Sequence, residues 1–191
     1  MTDLERIHFI EKTFGFKLYH VPIEKLATEN KFYTVSLIFY SLSEIEDENF
    51  FYKGTRNYST DSNGNVIGLA LDFSPYYLLP ENFLSGFRFL KHLRLKNVLL
   101  TDVSFLKDLK NITSLDLSSN NLSDASFLKE FKGITSLDLS SNNLNDVSFL
   151  KEFKEITSLN LSSNILSDVS FLKELKGITS LNLSSNILSD V

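Results

Sequence analysis

The chain has no cysteine and no tryptophan, and only 3 prolines and 7 glycines in 191 residues. Without cysteine there is neither a disulfide framework nor a thiolate metal site, which fits a reducing compartment. No apolar run reaches the length of a membrane span, and the opening MTDLERIHFIEK lacks the charged-then-apolar pattern of a signal peptide. The expectation is a cytoplasmic chain without a membrane partner; a secreted or surface location would require that a signal peptide had been removed. Excess charge of one sign is also missing. Residues 1–89 hold 12 acidic and 8 basic side chains, and residues 90–191 hold 12 and 11. Nucleic acid is therefore a poor default partner. The phosphate loop G-x-x-x-x-G-K-S/T, the zinc motif H-E-x-x-H and the nucleophile motif G-x-S-x-G are absent. No cofactor, no metal and no catalysis are expected. The crowded acids Glu44, Glu46, Asp47 and Glu48 read as a solvated loop.

What is present is one stretch of text repeated. ITSLDLSSNNLSDASFLKEFKG (112–133) is followed by ITSLDLSSNNLNDVSFLKEFKE (134–155), ITSLNLSSNILSDVSFLKELKG (156–177) and the partial ITSLNLSSNILSDV (178–191). A diverged copy, LKHLRLKNVLLTDVSFLKDLKN (90–111), precedes them, and the period is 22 residues throughout. A fixed period in this range means a solenoid, and L-x-x-L-x-L-x-x-N-x-L means a leucine-rich repeat. The predicted fold is an α/β solenoid, a right-handed superhelix with a parallel concave sheet and short 3-10 or helical turns on the convex side. Residues 66–191 form the repeats, irregular over 66–89, and residues 1–65 an N-terminal α+β capping module.

Within a repeat, alternating leucines such as Leu115 and Leu117 mark a short strand with one buried face. Stacked on its neighbours, each strand extends one parallel sheet. Asn120, Asn142, Asn164 and Asn186 form a second column. A buried amide needs partners, and the chain turns there, so a structural hydrogen-bond ladder is expected rather than a ligand array. Val98 takes this position in the 90–111 copy, so the ladder should begin at Asn120. Ser126, Ser148 and Ser170 are expected to cap the convex turns. Phe105, Phe127, Phe149 and Phe171 read as an aromatic ladder closing the core, or as an exposed contact stripe.

Residues between the leucines should face solvent on the concave side. Most rows there are small and polar, Ser-Asp-Ser or Ser-Asn-Ser. The exception is His92, Arg94 and Lys96. This basic trio reads either as a receiver for an acidic peptide or phosphate, or as charge partners for Asp116 and Asp72 on adjacent strands. Asp116 and Asp138 sit one rung apart, with too few carboxylates for a calcium cage. The candidate binding residues are thus His92, Arg94, Lys96, Asp116 and Asp138. Ile165 and Ile187 replace Asn121 and Asn143 on the flank and begin an apolar strip.

Residues 1–65 do not repeat. A helix is expected at TDLERIHFIEKTFG, capped by Thr2 or Asp3, with Leu4, Ile7, Phe9, Ile10 and Phe14 as its apolar residues. Strands are expected at 16–21 and 31–42, a helix start at Pro22, and a hairpin over 55–73 about the turn D-S-N-G-N. The segment 75–89 should be an irregular convex stretch. The text breaks off within a repeat, which predicts a fragment of a longer chain with an open last rung. Homodimers through that rung, or through Ile165 and Ile187, are expected.

With I-T-S-L-D-L-S-S-N-N-L-S-D-A-S-F-L at 112–128, the chain resembles the 22-residue leucine-rich class of the internalins and the phosphatase-regulatory subunits. Internalins typically carry proline where Phe127, Phe149 and Phe171 stand. The stretch YSTDSNGNVIGLAL (58–71) entering such repeats is similar to bacterial chains whose repeats precede a GTPase or TIR-type signalling module. The resemblance implies a protein- or peptide-binding scaffold, a sensor segment of a larger signalling protein. An internalin-like adhesion module is the alternative, and a weak nucleic-acid or acidic-ligand binder through His92, Arg94 and Lys96 a further one.

Overall fold

The computed structural model describes residues 2–14, 18–20, 56–72 and 84–188. The expected helix at 22–28, the strand at 31–42, the acidic run at 44–48 and the start of the convex stretch at 75–83 lie outside them.

Helix α1 spans Asp3–Phe14. Its start is a reciprocal capping box. The Glu5 amide donates to Thr2 Oγ1 at 3.2 Å, and the Thr2 amide donates to Glu5 Oε2 at 2.6 Å. Thr2 is therefore the cap, and that hydrogen bond holds the Glu5 carboxyl below its ordinary range. Asp3 instead ties the helix to the sheet by accepting from the Val66 amide at 2.9 Å. The buried stripe is narrower than expected. Ile7 and Ile10 enter the core, whereas Leu4 and Phe9 are 45% and 53% exposed.

Among the described residues eight strands make one sheet in chain order: β1 Tyr19–His20, β2 Arg56–Thr60, β3 Val66–Asp72, β4 His92–Lys96, β5 Ser114–Asp116, β6 Ser136–Asp138, β7 Ser158–Asn160 and β8 Ser180–Asn182. From β3 to β8 every pairing is parallel. The sheet is not parallel throughout, because β2 and β3 form an antiparallel hairpin. Its turn is folded by Asp61, whose carboxylate accepts from the amides of Asn63 and Asn65 and from the Asn65 side chain.

Identical repeat text enforces identical register. Leu69, Leu93, Leu115, Leu137, Leu159 and Leu181 stand opposite one another strand by strand. The leucine pairs from β3 to β7 are at most 2% exposed. Each buried leucine contributes about 1.5–3 kcal/mol.

Opposite the sheet, the described residues form four 3-10 turns, Ser104–Asp108, Ser126–Glu130, Ser148–Glu152 and Ser170–Glu174. No serine caps them through its side chain. The aspartate two residues earlier does that work: Asp124, Asp146 and Asp168 accept from the amides of Ser126, Ser148 and Ser170 at 2.7–2.8 Å. A carboxylate two residues back closes an Asx turn onto that amide, the reach that a capping side chain uses, whereas the serine hydroxyl stands one place too late to make it. Behind the turns, Phe127 meets Phe131 and Phe149 meets Phe153 edge to face, with ring centroids 6.0 Å apart in both pairs. Phe149 and Phe171 are buried and Phe105 and Phe127 partly so, which makes the column part of the core.

Candidate functional site

The concave face presents the column Ala70, Arg94, Asp116, Asp138, Asn160 and Asn182, one residue per strand. Its first members are not open to solvent, contrary to the alternation read from sequence. Ala70 is 2% exposed, Arg94 7% and Asp116 6%. Asp138 and Asn160 are half-buried, and Asn182 is exposed. The column is therefore buried through β5 and half-buried at β6 and β7, and the open concave strip starts at β6.

Arg94 and Asp116 meet across β4 and β5, with Nε 3.5 Å from Oδ2. This is the cross-strand pairing offered as one reading of the trio; the Asp72 side chain lies outside the described residues. Burial pushes the Asp116 carboxyl above its ordinary range, and Arg94 and the Ser118 hydrogen bonds only partly offset it. Asp138 on the next strand adds repulsion. His92 is half-buried, and burial and then Lys91 lower its pKa, so it is neutral near pH 7. Lys96 is half-buried. The trio thus displays less positive charge than its residue types suggest.

From β5 onward the concave side chains are fixed by short-range bonds. Asp116, Asp138, Asn160 and Asn182 each accept, through Oδ1, the amide of the serine two residues on, at 2.8–3.1 Å. The Ser140 and Ser162 hydroxyls donate to the same oxygens. Asn160 Nδ2 donates back to Asp138 Oδ2 at 3.0 Å, linking two rungs. Asp116 and Asp138 stand in register as expected, and among the described residues no group of three or more His, Asp or Glu could hold a metal ion.

The asparagine ladder lies at the strand ends, just beyond a left-handed residue. Ser119, Ser141, Ser163 and Ser185 all have φ between 55 and 57°, a conformation that turns the chain sharply. Each asparagine then points inward. Nδ2 of Asn120, Asn142, Asn164 and Asn186 donates to a carbonyl on the preceding rung and to carbonyls of its own. Oδ1 accepts the amide of Leu122, Leu144 or Leu166 on the preceding rung. Asn120, where the ladder begins, accepts two amides, from Val98 and Leu100. In the copy without the ladder residue, both Asn97 and Leu99 adopt positive φ around Val98.

A third column was missed in the sequence. Thr135, Thr157 and Thr179 hydroxyls each donate to the threonine carbonyl one rung earlier at 3.1 Å, and Thr113 donates to Lys91 O at 3.3 Å. The unvarying I-T-S text was its signal. On the flank, Ile165 and Ile187 are 47% and 64% exposed. Among the described residues no helix is long and apolar enough to cross a membrane.

No protein-family model matches the sequence, and no curated protein matches it. Among solved structures, the chain is similar to internalin C2 of Listeria monocytogenes, at 29% identity, with 71% of this chain and 62% of that one covered and a TM-score of 0.61. A leucine-rich-repeat protein of Leptospira interrogans is 26% identical, with 62% and 32% covered and a TM-score of 0.52. A second Listeria monocytogenes internalin, inlF, is 22% identical, with 71% and 47% covered and a TM-score of 0.52. The chain spans less than two-thirds of the length of each of these three.

Proposed function

We propose that this chain, a leucine-rich-repeat protein by its text, its sheet and its structural likenesses, is a non-catalytic protein-interaction module of a larger cytoplasmic signalling or regulatory protein. The observation that carries the reading is the open concave strip over β6, β7 and β8. Its rows Ser136/Asp138/Ser140, Ser158/Asn160/Ser162 and Ser180/Asn182/Ser184 are polar and at least partly accessible, and the side chains of Asp138, Ser140, Asn160, Ser162 and Asn182 are held by hydrogen bonds within the face. A surface fixed before binding loses little entropy on meeting a partner. Of the candidate binding residues, Asp138 belongs to this strip, whereas His92 and Lys96 lie on β4, two strands before it. Arg94 and Asp116 form a buried brace across β4 and β5, ahead of the strip. That brace weakens the reading in which His92, Arg94 and Lys96 bind nucleic acid or an acidic ligand.

The test is a photo-crosslinking amino acid placed at Ser158 on the concave strip, or at Glu130 on a convex turn, in the source cell. Distinct adducts from position 158 alone are expected. Equal adducts from both positions, or none from 158, would refute the concave assignment. The likeness to internalin C2 favours one other reading, a surface adhesion module. It predicts that the chain is digested by protease added to intact cells, whereas a cytoplasmic module is protected.

A further inference from the structure

Partner anchors are usually aromatic or arginine side chains, and the concave rows from β5 to β8 contain neither. Such residues do converge elsewhere. An open cavity of about 610 Å³ lies between the start of α1, the β2–β3 turn and the loop that leads into β4. Its lining includes Leu4, Arg6, Gly64, Arg88 and Phe89. Leu4 and Phe89 are 45% and 50% exposed, so apolar surface faces this cavity without being covered.

The charges in the cavity are unequal in their commitments. Asp3 accepts from Arg6 Nη1 at 3.0 Å and from the Val66 amide, and Arg6 Nε donates to the Ser85 carbonyl. The helix amide of Glu5 is taken by the Thr2 cap, and that of Arg6 by the Thr2 carbonyl. Arg88 is exposed; its carbonyl accepts from Asn111 Nδ2, and its guanidinium has no ion pair among the described residues. The one carboxylate of the lining is thus already engaged, and the uncommitted charge is a cation beside two apolar side chains.

We propose that this cavity is a second docking site, distinct from the concave strip, for an extended peptide segment of a partner protein that carries an apolar side chain next to a carboxylate. The apolar side chain enters between Leu4 and Phe89. The carboxylate meets the planar fork of Arg88, which suits two parallel hydrogen bonds. The complementarity of charge fixes the occupant as acidic, and the exposed phenylalanine and leucine fix it as amphipathic.

The experiment is selection of a random peptide library on the intact chain, followed by binding of the recovered peptides to Arg88→Glu, Phe89→Ser and Asp138→Lys. Peptides pairing Asp or Glu with a large apolar residue are expected. They should bind Arg88→Glu and Phe89→Ser about tenfold or more weakly, the loss typical of an anchor residue, and Asp138→Lys unchanged. Selection on Arg88→Glu should instead recover Lys- or Arg-bearing peptides. Recovery of no such peptides, or of peptides indifferent to Arg88→Glu and Phe89→Ser, overturns the site. Peptides lost only on Asp138→Lys would overturn it while supporting the concave strip. Both cavity side chains are substantially exposed, and unchanged circular dichroism checks that the variants fold.

Discussion

Replacing Asn142 with alanine tests the ladder at a single side chain. Asn142 is 6% exposed and makes four hydrogen bonds. Their loss is unequal in consequence. The carbonyl of Leu117 also accepts from Asn120, that of Leu139 also from Asn164, and that of Ser140 also from the Ser119 amide. Each keeps one partner after the change. The Leu122 amide has, among the described residues, no acceptor but Asn142 Oδ1 at 3.0 Å and becomes an orphan donor in the core. One orphaned buried donor costs about 1–3 kcal/mol, and three weakened acceptors with a small void add to it, giving roughly 2–4 kcal/mol in all. For a chain of this size that lowers the melting temperature by roughly 5–15 °C. Ser140→Ala removes a half-buried hydroxyl bonded only to Asp138 and should cost at most about 1 kcal/mol. Asn120→Ala orphans two amides, Val98 and Leu100, and should exceed Asn142→Ala. The assay is denaturant unfolding followed by circular dichroism, with hydrogen exchange at the Leu122 amide as the local probe. Equal midpoints for Asn142→Ala and Ser140→Ala, or an unchanged Leu122 exchange rate, would refute the reasoning.

Gly86 has φ +94, and a methyl group there would overlap the Arg6 guanidinium; Gly86→Ala should lose about 1–3 kcal/mol in thermal unfolding, with part recovered in Arg6→Ala/Gly86→Ala. Asp124→Ala should cost about 0.5–1 kcal/mol by freeing the Ser126 amide, whereas Ser126→Ala should be near neutral, the reverse of what a serine cap would give. Asp116 has its folded pKa raised by burial, so as pH rises from the ordinary aspartate range to that raised value the unfolded chain releases its proton first and wild-type stability falls. Asp116→Asn removes this contribution, so its stability relative to wild type should climb across the same window; a constant difference from acid to neutral pH would contradict the buried, strained carboxylate.

Periodic features were legible in the sequence because every rung repeats the same environment. The leucine column, the inward asparagines and the start of the ladder at Asn120 follow from text alone, since Val98 cannot supply an amide there. The threonine column was equally periodic, but a Thr beside a strand gives no hint of which carbonyl its hydroxyl reaches until the rungs are stacked. What was not legible depends on parts of the chain that do not repeat. The alternation rule exposes Arg94 and Asp116, yet the structure buries both. Phe9 reads as apolar helix surface, but with Asp3 bonded to the Val66 amide, Ile7 and Ile10 face inward and Leu4 and Phe9 do not. The contact of Arg6 with the turn at Ser85 and Gly86 joins segments that no local pattern connects.

The asparagine ladder also bears on how such a chain changes length. The bonds that Asn142 makes to Leu117 and Leu122 on the rung before it, Asn164 makes to Leu139 and Leu144 one rung further on, at nearly the same distances. The seams between rungs from residue 112 onward are therefore alike in their ladder bonds, unlike the seam before them, where Asn120 accepts two amides. Recombination that duplicates or drops one whole unit of text would join surfaces that already fit, with no buried group left over. The near-identity of residues 112–133 and 134–155 means that such a join would present the same leucines and the same ladder asparagine to its neighbour.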